Sequence, residues 1–88
     1  MEIKDKVIII TGAAQGLGKA FAEDLTARKA RLALADINME QLEQVRGACE
    51  ESGIEARAYK VNVSDEPAVE KFFEQVVKDF GTVDVLIN

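Results

Sequence analysis

The stretch TGAAQGLG, Thr11 to Gly18, holds three of the six glycines in this 88-residue chain. Glycine is costly in chain entropy, so such a cluster marks backbone that must turn sharply or lie close to something else. It follows the apolar run VIII (Val7–Ile10) and precedes a helical pattern. A helix opening at that turn aims unpaired N–H groups and the positive end of its dipole at the loop, which is chemistry for a phosphate-like anion. Asp36, ending the next apolar run, offers a carboxylate that accepts hydrogen bonds from hydroxyl groups. Asn62–Val63 and Asn88 end two later runs. No residues suited to acid–base or nucleophilic catalysis are evident. There is no histidine, the one tyrosine is Tyr59, and Ser64 reads as a helix cap. A single cysteine, Cys49, gives neither a disulfide framework nor a metal cluster.

The rest of the composition sets limits. Eleven basic against sixteen acidic residues give a net charge of −5, with Lys and Arg scattered among carboxylates, which argues against a nucleic-acid surface. The opening MEIKDK is charged in both signs, and no apolar run approaches the length of a signal peptide or a spanning helix. With one cysteine, a reducing, cytoplasmic compartment and no membrane are the expectation. Residues 1–88 are read as part of one domain.

The elements that must position these residues alternate. Val7–Ile10 reads as a strand buried on both faces. Leu17, Phe21 and Leu25 then recur at helical spacing, with Lys19, Glu23 and Arg28 turned away. RLALAD is a second strand ending at Asp36. Asn38 with Gln41 makes a capping-box pattern, and Met39, Leu42, Val45 and Cys49 form the apolar stripe of a second helix that Gly53 ends. Gly47 inside it costs roughly 1 kcal/mol relative to Ala. EARAYKVNV alternates, with Arg57, Tyr59, Val61 and Val63 on one side, as in a strand near a sheet edge. Ser64 or Asp65 caps a third helix with Pro67 in its first turn. Its apolar face is Val69, Phe72, Phe73, Val76, Val77 and Phe80, and Gly81 stops it. VDVLIN is a fourth strand. The order βαβαβαβ predicts an α/β, Rossmann-type, doubly wound parallel sheet with strand order 3-2-1-4, truncated after strand 4. Two helices then lie on one face and the third on the other.

Two glycine signatures fail against this turn. A Walker P-loop needs G-x-x-x-x-G-K-[ST], but Ala13 stands in place of the first glycine and Ala20 follows Lys19. The G-x-G-x-x-G fingerprint fails because Phe21 stands where its third glycine would be. What is present is T-G-x-x-x-G-x-G, with Gly12, Gly16 and Gly18. Together with Asp36, the Asn62–Val63 pair and a fourth strand running into Asn88, it resembles the short-chain dehydrogenase/reductase family. The resemblance covers the whole chain, with a marker at each of four strand ends. It is shared by the 3-oxoacyl-carrier-protein-reductase and hydroxyprostaglandin-dehydrogenase branches.

The resemblance implies that the chain binds a dinucleotide through Gly12, Gln15, Gly16, Leu17, Gly18, Asp36, Asn62, Val63 and Asn88. Gly12 gives the tight exit from the strand, Gly16 lets backbone approach the pyrophosphate, and Gly18 lets the helix pack close to the sheet. Backbone N–H groups of Gln15 and Leu17 are candidate donors. Asp36 would accept from the adenosine ribose and repel a 2′-phosphate, so NAD is expected over NADP, and the non-basic Gln15 points the same way. The plain alternative is an Asp that merely opens a turn before Asn38. Asn62 stands where many relatives carry Asp; its amide oxygen would accept from the adenine amino group, and Val63 would pack on the ring. An ordinary strand end is the alternative for that pair. Lys29 departs from the family, which usually has Gly at that left-handed helix end.

Catalysis in the family uses a Ser and a Tyr-x-x-x-Lys pair, which are missing: four residues after Tyr59 stands Val63. The expectation is therefore no catalytic residue and no metal ligand here, only the adenine-side part of a site in a longer NAD-dependent oxidoreductase acting on an alcohol or ketone. The alternatives are an isolated half-Rossmann module that binds dinucleotide weakly or is only structural, and a non-catalytic interaction protein. Strand 4 would leave an apolar edge for pairing with a missing C-terminal part or in a homo-oligomer.

Overall fold

The computed structural model describes residues 2–88. Four strands form one parallel sheet: β1 (Val7–Thr11), β2 (Arg31–Asp36), β3 (Ala56–Lys60) and β4 (Val85–Ile87), in the order β3-β2-β1-β4. Three helices connect them: α1 (Gly16–Ala27), α2 (Met39–Glu51) and α3 (Glu66–Phe80). This is the expected doubly wound order. β1 is central and buried along Val7–Ile10, as its unbroken β-branched run requires.

The pleat sorts side chains into two cores. Ile8, Ile10, Leu32 and Leu34 meet Ala22 and Leu25 of α1 and Leu42, Val45 and Cys49 of α2 on one face. Val7, Ile9, Ala33 and Ala35 meet Phe72, Val76 and Phe80 of α3 on the other. Cys49 is thus a core residue, as its place on the α2 stripe predicts. α3 is capped by Asp65, not Ser64: the Asp65 carboxylate accepts from Ala68 N–H at 3.3 Å. Asn38 caps α2 by accepting from Gln41 N–H at 3.0 Å.

Four expectations need correction. α1 does not bury Leu17 and Phe21, which are 68% and 40% exposed; its covered face is Ala22, Leu25 and Thr26. The close approach is at the helix start, where a Cβ on Gly18 would run into the Gly12 backbone, and the stripe regains a large residue only at Leu25. Val77 is likewise exposed on α3. β3 is shorter than EARAYKVNV suggests: pairing stops at Lys60, Val61 stays buried, and Val63 turns out to solvent. β4 likewise begins at Val85, two residues later than the apolar run.

Lys29 does take the left-handed conformation, with φ 66°. Its N–H donates to Thr26 C=O at 3.0 Å and Ala30 N–H donates to Leu25 C=O at 3.1 Å, the closure a glycine usually supplies at a helix end. Asp84 fastens β4 to β1. Its carboxylate accepts from Val7 N–H at 2.9 Å, and its own N–H donates to Val7 C=O at 2.9 Å.

Candidate functional site

The four strands end on the same edge of the sheet, and hydrogen bonds stitch the predicted residues along it. At the β1 exit, Thr11 Oγ1 donates to Asn88 Oδ1 at 3.1 Å. Ala13 N–H donates to Ala35 C=O at 3.1 Å, and Ala14 N–H donates to Asp36 Oδ2 at 3.0 Å. Val61 N–H then donates to Asp36 C=O at 3.1 Å, which sets Asn62 just beyond the end of β2. The change of direction in the strand order falls between β1 and β4, where Thr11 and Asn88 meet; open α/β sheets take ligands at such a point.

The glycine turn has the geometry its sequence requires. Gly12 and Gly16 have φ of 64° and 60°, and no atom lies within 4 Å of where a Cβ would stand at either. Open space over a left-handed backbone is a surface a ligand can approach. Gly18 is different, and its expected role needs correction. A Cβ there would lie 2.1 Å from the Gly12 carbonyl oxygen and 2.7 Å from its carbon. The third glycine therefore lets α1 close against the turn's own backbone rather than against the sheet.

The helix start is left open. Gln15 is the N-cap of α1 in an extended conformation, its side chain makes no capping bond, and no acidic residue stands in the first turn. The two other helices both have side-chain caps and a Glu in the first turn. The first N–H groups of α1, at Gly16, Leu17 and Gly18, thus face the turn with the positive end of the helix dipole behind them.

Asp36 joins this turn to the end of β2. One oxygen takes Ala14 N–H, and the other takes Asn38 N–H at 3.0 Å. The carboxylate is fixed by two backbone donors yet keeps free lone pairs, since each oxygen has two. Asn62 is held in a turn of its own: its Oδ1 accepts from Ser64 N–H at 3.0 Å, and that oxygen keeps a second lone pair.

Sequence reasoning missed Ile37. It follows Asp36 and is 60% exposed, while Val63, one residue past Asn62, is 59% exposed. With Leu17, these large aliphatics follow three strand ends in a chain whose other aliphatics are mostly covered. An apolar residue directly after the carboxylate that ends β2 was the available signal. A cleft of about 710 Å³ runs between α1 and α2 and meets this edge only at Ala14–Gly16. No group of three or more metal-ligating side chains occurs among the described residues. No helix of the described residues is long and apolar enough to cross a membrane.

Fold and edge define a doubly wound α/β protein with an open, glycine-lined helix start beside a fixed carboxylate. The chain belongs to the short chain dehydrogenase family, whose model matches residues 6–88. It is 38% identical over 86 residues to an uncharacterised oxidoreductase of Bacillus subtilis, covering 98% of this chain and 32% of that protein. It is also 38% identical over 90 residues to 15-hydroxyprostaglandin dehydrogenase [NAD(+)] of Homo sapiens, covering 100% and 34%. Among solved structures, a short chain dehydrogenase/reductase from Burkholderia phymatum in complex with NAD superposes with a TM-score of 0.94 at 31% identity, covering 98% of this chain and 31% of that one. The chain thus spans about a third of the length of the relatives it matches.

Proposed function

We propose that residues 1–88 form the adenine and pyrophosphate side of the cofactor site in an NAD(H)-dependent oxidoreductase that interconverts an alcohol and a ketone. The observation that carries this is the fixed Asp36 carboxylate bonded to Ala14 of an open glycine turn. A pyrophosphate on the N–H groups of Gly16, Leu17 and Gly18 would sit one turn away from a ribose on Asp36. Gly12 and Gly16 leave the approach clear, Gln15 adds no positive charge, and Val63 offers an apolar surface for the base. Asn88 borders the site through Thr11. NAD would supply the hydride acceptor. The role of these residues is to bind and orient it.

The NAD complex of the Burkholderia relative and the cofactor in the name of the human one support the same reading. A 2′-phosphate would stand against the Asp36 carboxylate, so NADP is the poorer ligand. Acid–base catalysis and substrate recognition then belong to residues outside these 88, which alone would not turn over. β4 ends the sheet, and its unpaired edge suits a further strand from the rest of the chain or from a second copy. The free Cys49 fits a reducing, cytoplasmic setting.

Fluorescence titration of the complete protein with NADH and NADPH tests this. Saturable binding of NADH, with NADPH at least about tenfold weaker, is expected, one such factor being 1.4 kcal/mol. Equal affinities would remove Asp36 from its assigned role. No binding of either would overturn the proposal.

A further inference from the structure

We propose that the outer edge of β3 is a self-pairing surface, on which a second copy of this chain lays its own β3 antiparallel about a two-fold axis. This is independent of the cofactor reading above. β3 ends the sheet on the side away from β4. Leu32 N–H donates to Glu55 C=O at 2.9 Å and Val61 N–H donates to Asp36 C=O at 3.1 Å, on either side of the register Ala33↔Arg57 and Ala35↔Tyr59. In a parallel ladder the bonds to one neighbour come from alternate residues. Arg57 and Tyr59 therefore turn their N–H and C=O groups to β2, while Ala56, Ala58 and Lys60 turn theirs outward. Ala56 is covered, at 1% exposure, which leaves Ala58 and Lys60 to take a partner.

An open edge is normally fenced by proline, a bulge or charge. β3 holds no proline, and its register with β2 runs without a bulge. Its Arg57 is drawn back over α3: the guanidinium lies 5.7 Å from the Phe80 ring centre and pairs with Glu55 at 3.5 Å and Asp79 at 3.9 Å. Ala58 presents only a methyl group, and a notch of about 320 Å³ lined by Tyr59, Val61, Ala68 and Phe72 lies open beside it. Lys60 is the one remaining charge on the strand, and it selects the register. Centring the pair on Lys60 sets two lysines against each other, which is destabilising. Centring it on Ala58 sets Lys60 against the covered Ala56. Centring it on Tyr59 couples Ala58 of each copy to Lys60 of the other, each such pair exchanging both backbone bonds, and opposes no like charges. Tyr59 then faces its own counterpart in an aromatic cross-strand pair. The contact is closed and isologous, and with one short strand a side it is a weak one.

Sedimentation of the complete protein over a concentration series tests this, in the wild type and in Ala58→Pro. The Ala58 N–H has no backbone partner among the described residues, so proline there removes an outward donor and leaves the β2 ladder intact. The heaviest species of the wild type should have twice the mass of the heaviest species of the variant. Tyr59→Cys and Arg57→Cys read the register, whatever proline does to folding. On mild oxidation Tyr59→Cys should join two chains through a disulfide, since facing residues at a non-hydrogen-bonded position stand about 4.5 Å apart between Cα atoms. In Arg57→Cys the new thiol faces Val61 of the second copy and should stay unlinked, as should the wild type, whose Cys49 is buried. Equal masses for wild type and Ala58→Pro, or equal crosslinking of the two cysteine variants, overturns the inference.

Discussion

Asp36 and Ala14 are 22 residues apart in sequence, and the carboxylate of one accepts the backbone N–H of the other at 3.0 Å. The bond ties the end of β2 to the turn that opens α1. Ala14 is buried, and the Asp36 carboxylate is the one acceptor its N–H has among the described residues, so removing it strips a buried donor of its partner. The residue proposed to choose the cofactor is thus also a brace for the loop that would hold the phosphates.

Two effects of Asp36→Ala should therefore appear together. The preference for NADH over NADPH should fall by about tenfold or more as the repulsive charge is lost. Stability should fall by about 1–3 kcal/mol, the usual cost of breaking a hydrogen bond to a charged group and leaving its partner unpaired. Paired dinucleotide titrations and urea denaturation measure the two. A change in selectivity with no change in stability would mean that the Ala14 bond contributes nothing.

Gly18 and Gly47 make a matched pair, both helical and both lacking a side chain. A Cβ at Gly18 meets the Gly12 carbonyl oxygen at 2.1 Å, whereas one at Gly47 meets nothing within 4 Å. Gly18→Ala must displace backbone and should cost at least about 2–3 kcal/mol, with loss of dinucleotide binding. Gly47→Ala should instead stabilise by about 0.5–1 kcal/mol through helix propensity. Denaturant midpoints of the two variants should move in opposite directions.

The strand and helix order is legible in the sequence because each element carries its own period and its own stop. Val7–Ile10 is an unbroken β-branched run, α3 has its Phe and Val face, and glycine follows α2 and α3. The T-G-x-x-x-G-x-G turn and Asp36 were likewise visible as residue types at strand ends. The buried face of α1 was not. Apolar spacing selects Leu17, Phe21 and Leu25, but only Leu25 is covered, with Ala22 and Thr26 beside it. Thr26 is polar yet buried because its hydroxyl donates to Ala22 C=O at 2.7 Å. The Ala14–Asp36 bond and the turned-in oxygen of Asn62 are contacts of three-dimensional placement, and no residue pattern announces them.

Lys29 holds a left-handed backbone at φ 66°, where a side chain costs about 1–2 kcal/mol. Its hydrogen bonds are all backbone and would survive removal of the side chain. Lys29→Gly relieves the strain but adds chain entropy to the unfolded state, so a net gain of about 0.5–1 kcal/mol is expected. Thermal melts of the variant should show a higher midpoint with unchanged NADH affinity. Lys29→Ala keeps the Cβ and should show no such gain.

Tyr59 and Asp79 should make stability fall at both ends of the pH scale. The Tyr59 hydroxyl donates to Asp79 Oδ2 at 2.7 Å, and Gln75 Nε2 donates to Asp79 Oδ1 at 2.9 Å. Those two bonds, first Tyr59 and then Gln75, hold the Asp79 carboxyl below its ordinary value, with Arg57 helping. A carboxyl lowered in the folded state stabilises above its unfolded value near 4, and that contribution is lost as the pH falls through the folded one. Tyr59 is raised above its ordinary value, by burial first and by Asp79 second. A raised acid stabilises below its unfolded value near 10, and the contribution fades as the pH climbs past it. Tyr59→Phe removes the Tyr59 share of the alkaline dependence and weakens the acid one, because Asp79 keeps the Gln75 donor and the neighbouring positive charges but loses the Tyr59 donor. Melting temperatures of wild type and Tyr59→Phe, taken from pH 3 to pH 11, should therefore differ most in slope at the two ends. Parallel curves would show that the hydroxyl and the carboxylate titrate independently of folding.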